Sequence, residues 1–74
     1  MADPTPPERP AGIRAYFASI ERKHGRSIED WYAVLDAHRE LRHMEMVEVL
    51  KREHGMGHGH ANALVGTYRH ERGL

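Results

Sequence analysis

Residues 50–65 read Leu50-Lys51-Arg52-Glu53-His54-Gly55-Met56-Gly57-His58-Gly59-His60-Ala61-Asn62-Ala63-Leu64-Val65. Before the glycines, Met46, Val47, Val49 and Leu50 supply the apolar side of a helix. Glu48 stands four residues ahead of Arg52, where opposite charges support a helical turn. After the glycines, Ala61, Leu64, Val65 and Tyr68 recur at helical spacing. Three glycines in five residues interrupt the two patterns, because glycine gives up the most backbone entropy on folding and so weakens a helix interior. The stretch therefore predicts a helix over about 44–54, stopped by Gly55, and a second over about 60–70.

The same period runs through the first half of the chain. Ile13, Tyr16, Phe17 and Ile20 fall at i, i+3, i+4 and i+7, and the basic run Arg22-Lys23-His24 ahead of Gly25 suits a helix C-terminus. This predicts a helix over about 12–24. Ser27 can cap free amides, Glu29 and Asp30 favour the positive end of a helix dipole, and Ile28, Trp31, Val34 and Leu35 form one stripe. A helix over about 28–38 follows. His38 to His43 has weaker periodicity and is expected to turn the chain, with Leu41 entering the core. No segment alternates with the period of a strand, and no repeat is present. The fold class is all-α: a small single-domain bundle of four short helices, with Trp31, Phe17 and Tyr16 as its aromatic anchors.

Composition narrows the function classes. At 74 residues there is room for one core. All four prolines lie in the first ten residues, so residues 1–11 are expected to form a disordered Pro-rich tail ahead of a helical domain over 12–74. The absence of cysteine excludes disulfides, thiolate zinc sites and thiol chemistry. No apolar run reaches the roughly 20 residues of a membrane span, and no signal peptide is recognisable, so a cytoplasmic address is expected. Eleven basic residues balance eleven acidic ones, a weaker footprint than a dedicated nucleic-acid binder usually carries. Residues 51–74 hold four basic and two acidic side chains, together with four of the seven histidines.

The segment from Gly55 to Asn62 is the candidate functional site. Glycine lets a backbone be approached closely, and this segment runs into a helix N-terminus, where free amides and the dipole attract anions. His58 and His60 can add donors, and Asn62 can fix the loop through its amide. The expected contact residues are Lys51, Gly57, His58, Gly59, His60 and Asn62, touching a protein partner or a small anionic ligand. The plainest alternative is a tight turn, with Gly55 as a C-cap and His58 or His60 capping the last helix. Zinc binding by His54, His58 and His60 is a further alternative, weakened by the lack of cysteine and by Glu53 being the one nearby carboxylate. No catalytic grouping of serine, histidine and acid, no phosphate loop and no paired carboxylates can be placed, so neither a catalytic residue nor a cofactor is expected. Helix, glycine turn and helix also loosely resemble a DNA-binding pair, which would present Asn62, Thr67, Arg69 and Arg72.

The segment Leu50-Lys51 through Gly55-Met56-Gly57-His58-Gly59-His60-Ala61-Asn62 to Val65 resembles the signature of a bacterial domain-of-unknown-function family, DUF 4287. Ile20-Glu21, Gly25 and Ser27-Ile28-Glu29-Asp30-Trp31 extend the resemblance over residues 12–70. It implies an accessory or interaction module, occurring alone or joined to other domains, and assigns no activity. Either a monomer or a homodimer fits so short a chain, a dimer being expected if Met44, Met46 and Val49 form an exposed patch.

Overall fold

The computed structural model describes residues 9–74, so the part of the expected tail over residues 1–8 lies outside the described residues. Four helices follow in order: α1 (Ala11–His24), α2 (Ile28–Asp36), α3 (His43–His54) and α4 (His58–Arg72). Among the described residues there is no strand.

Local chemistry explains the boundaries. Gly25 and Gly55 adopt φ of 63° and 64°, the left-handed conformation that ends α1 and α3 without a Cβ penalty. Ser27 Oγ accepts from the Asp30 amide at 3.2 Å, as a cap for α2 should. At the start of α3, the Glu45 carboxylate accepts from the Arg42 amide at 2.7 Å. The second helix is shorter than the stripe suggested. It ends at Asp36, and residues 37–40 turn, because His38 donates its amide to Leu35 and Leu41 donates back to His38. That turn lets Leu41 pack against the core as expected.

The core takes side chains from every helix. Ile20 of α1, Leu35 of α2, Met46, Val47 and Leu50 of α3, and Leu64, Val65 and Tyr68 of α4 are fully buried. Each contributes roughly 1.5–3 kcal/mol through removal from water. Helix α4 packs most extensively on α3 and next on α1, so it is the central element. Trp31 and Phe17 are buried as anchors, but Tyr16 is 46% exposed. It stands on the edge of the α1 stripe, and Tyr32, which the spacing did not select, takes an interior place beside Tyr68 with ring centroids 5.1 Å apart. Met46 is buried and Val49 partly so, leaving only Met44 of the expected dimer patch exposed. The patch fails because Met46 is buried in the core and Val49 is only partly exposed.

Residues 9–11 belong to the fold, contrary to the expectation of a tail reaching residue 11. Ala11 opens α1 behind Pro10. Arg9 makes a two-pronged contact with the Glu71 carboxylate, at 2.7 and 2.9 Å, and its guanidinium lies 5.0 Å from the Phe17 ring centroid. Tyr32 donates its hydroxyl to the same carboxylate at 2.9 Å. A second network sits nearby: Tyr68 donates to Asp36 at 2.6 Å, and Arg72 pairs with Asp36 at 3.3 Å.

Candidate functional site

The glycine segment is shorter than its composition suggests. Only Gly55, Met56 and Gly57 lie between helices, and α4 begins at His58, so His58, Gly59, His60 and Asn62 are helical rather than parts of a loop over 55–62. Met56 explains the tightness. Its side chain is buried and its amide donates to Leu50 O at 3.1 Å, folding the link back onto α3. Of the three glycines in the segment, only Gly55 needs a positive φ. Gly57 is the residue ahead of α4, with φ −65° and ψ 151°, and no side chain caps the helix behind it. Neither His58 nor His60 serves as that cap.

Helical bonding in α4 starts where Ala61 donates to Gly57 O at 2.9 Å. The amides of His58, Gly59 and His60 therefore carry the unpaired, positive end of the helix dipole. Gly57, His58 and Gly59 are exposed. His60 sits at the lip of an open groove of about 370 Å³, whose other wall is the Gly12, Ala15, Tyr16 and Ser19 face of α1. Its ring meets Tyr16 edge to face, with centroids 5.5 Å apart.

Two expected contact residues have partners within the chain. Asn62 Oδ1 lies 2.8 Å from His43 Nε2 and ties α4 to the start of α3, instead of fixing the preceding turn. The Lys51 ammonium is 3.5 Å from Glu48 on its own helix, and Arg52 is 3.4 Å from the same carboxylate. The structure thus groups Gly57, His58, Gly59 and His60 at the bare end of α4, and directs Lys51 and Asn62 into intramolecular contacts.

Residues outside the glycine segment complete the neighbourhood. Trp31 of α2 has the ring of His24, the last residue of α1, at 5.6 Å and that of His54, the last residue of α3, at 5.1 Å. Arg26 lies over the Trp31 ring at 4.8 Å. Burial pushes the His24 pKa below its ordinary 6.5, and the charges of Lys23, His60 and His54 push it the same way. His24 and Trp31 are far from the glycines in sequence, so spacing could not reveal them; the one signal was the basic run at the end of α1. Among the described residues, no three histidine or carboxylate side chains converge closely enough to hold a metal ion.

The helices and their glycine-punctuated junction define a small all-α domain in which the uncapped start of α4 lies beside a groove. The chain belongs to the family described as a domain of unknown function (DUF4287), which matches residues 12–70. Among curated proteins and solved structures, none matches it. No helix among the described residues is long and apolar enough to cross a membrane.

Proposed function

We propose that the domain is a binding module, not an enzyme, which holds an anionic group of a protein partner or a small phosphate-bearing ligand on the first turn of α4. The observation that carries this reading is the exposed, uncapped start of α4 at Gly57, His58 and Gly59, directly beside the groove lipped by His60. Glycine leaves these amides open to close approach, and the helix dipole favours negative charge there. A carboxylate or phosphate placed on the His58, Gly59 and His60 amides leaves the rest of its carrier free to lie along Gly12, Ala15 and Ser19.

The nucleic-acid reading receives less support. Of the side chains that α4 would present, Asn62 is bonded to His43, Arg69 donates to Leu41 O at 3.2 Å, and Arg72 pairs with Asp36. Binding DNA through them would first require breaking these contacts.

The test uses Gly57→Asp. Gly57 has an ordinary negative φ, and a Cβ there meets nothing within 4 Å, so the variant should fold. Its carboxylate would cap the amides and repel an incoming anion. Wild type titrated with inorganic phosphate should shift the His58, Gly59 and His60 amide resonances, and a partner recovered from native lysate should be lost with the variant. Unmoved amides together with equal recovery by both proteins would refute the reading.

A further inference from the structure

Helix α1 carries two distinct faces. One belongs to the core: Phe17 and Ile20 are buried and Ile13 packs against them. Gly12, Ala15, Tyr16, Ser19, Arg22 and Lys23 follow at i, i+3, i+4, i+7, i+10 and i+11, which places them together on another face. The first four line the open groove of about 370 Å³ opposite His60, and Tyr16 is 46% exposed there. An exposed aromatic ring beside small residues leaves room for one apolar side chain and lets the backbone that carries it come close.

The C-terminal end of that face is basic. The Arg22 guanidinium lies 3.5 Å from Ser19 Oγ, at the last α1 residue of the groove. Lys23 follows on the same face by spacing, and both side chains are exposed. Cations elsewhere have acids: Arg9 has Glu71, Lys51 and Arg52 share Glu48, and Arg72 has Asp36. Among the described residues, Arg22 and Lys23 have no such partner. The one carboxylate of α1, Glu21, falls on a different face and accepts from the Ile28 amide at 2.8 Å. Among the described residues, no carboxylate lines the groove.

We propose that this face of α1 binds an acidic peptide segment of a partner protein, which seats an apolar side chain beside Tyr16 and carboxylates on Arg22 and Lys23. Arg22 stands six residues past Tyr16, about 9 Å along the helix, a span that an extended chain covers in about three residues. The segment therefore carries its acids about three or four positions from its apolar residue. Charge complementarity favours a peptide over a nucleic-acid strand. A strand brings a charge with every nucleotide, whereas the cations of this face stand at one end and small uncharged residues occupy the rest. Recognition of this kind rests on the contact-surface reading for the groove, but its cations lie outside the first turn of α4.

The probe is an end-blocked peptide Leu-Ala-Ser-Glu-Glu, with Leu-Ala-Ser-Lys-Lys as its control, titrated into the full chain and followed through amide resonances. The acidic peptide should shift Gly12, Ala15 and Ser19, and the control should not. Arg22→Glu with Lys23→Glu should weaken binding by about tenfold, as for two surface charge pairs turned from attraction to repulsion. Arg22→Gln with Lys23→Gln should weaken it less, which keeps the proposal testable if charge reversal frays α1. Tyr16→Ala should also cost about tenfold, through the lost aromatic anchor. Unmoved Gly12, Ala15 and Ser19 amides, equal shifts by both peptides, or undiminished binding in both charge variants would overturn the proposal. So would stronger shifts by an oligothymidylate, the mark of a nucleic-acid site, or shifts on dilution without peptide, the mark of an interface between two copies. Inorganic phosphate at the His58, Gly59 and His60 amides reports on the contact-surface reading alone, so the two readings fail separately.

Discussion

Asn62 on α4 and His43 at the start of α3 are joined through Oδ1 and Nε2 at 2.8 Å, across 19 residues of sequence. The His43 ring also lies over Gly66, where an added Cβ would stand 3.7 Å from its Cε1. The pair fixes how the two most extensively packed helices are set against each other. Asn62→Ala should lower stability by about 0.5–1 kcal/mol, as for a partly solvated hydrogen bond. Urea unfolding measures this, and a double-mutant cycle with His43→Ala should show that the two losses are not additive. Any loss of binding in Asn62→Ala must be corrected for this structural effect.

Gly55 and Gly57 should respond oppositely to substitution. Gly55→Ala forces a Cβ into a left-handed backbone, at a cost of about 1–2 kcal/mol, although the space around it is open. Gly57→Asp places a carboxylate at an uncapped helix start and should raise stability by about 0.5–1 kcal/mol. Thermal melts followed by circular dichroism distinguish the two. A more stable variant that no longer binds phosphate would show that glycine is kept at position 57 at the expense of stability.

Acid should weaken the end of the molecule opposite the glycines. The Tyr68 hydroxyl, with Arg72, holds the Asp36 carboxyl below its ordinary 3.8. The Arg9 guanidinium, with Tyr32, holds the Glu71 carboxyl below its ordinary 4.5. Both acids are more readily ionised in the folded chain than in the unfolded one. Their contribution is thus present above about pH 4.5 and lost as pH falls through the depressed folded values. Urea midpoints between pH 6 and 3 should fall in wild type, and less steeply in Tyr68→Phe.

Arg9→Ala tests the contact outside the helices. It removes a two-pronged carboxylate contact and the stacking on Phe17, while Tyr32 still donates to Glu71. A loss of about 2 kcal/mol is expected from these terms together. An unchanged urea midpoint would show that residues 9–11 contribute no stability.

The architecture was readable because its determinants are local. Ser27, Gly25 and Gly55 act through hydrogen bonds and backbone angles within a few residues, and the stripes ending at Leu50 and beginning at Ala61 each lie on one helix. Contacts across the chain left no such trace. Nothing in the spacing of Asn62 indicated His43 as its partner, and nothing in the proline-rich start indicated that Arg9 would reach Glu71. The candidate site's placement was legible in part. Gly57, His58, Gly59 and His60 do stand together, but glycine content suggested a long loop where buried Met56 permits a short one. His24 and His54, the histidines around Trp31, could be assembled only once α1, α2 and α3 were placed.

The contact of Arg9 with Glu71 has a practical consequence for anything attached to this domain. It sets the point where the chain enters the fold near the last turn of α4, eleven residues beyond His60 or about 16 Å along the helix. A neighbouring domain or a surface tether joined ahead of Arg9 would therefore load the far end of the helix. The glycine end would then face away from the attachment.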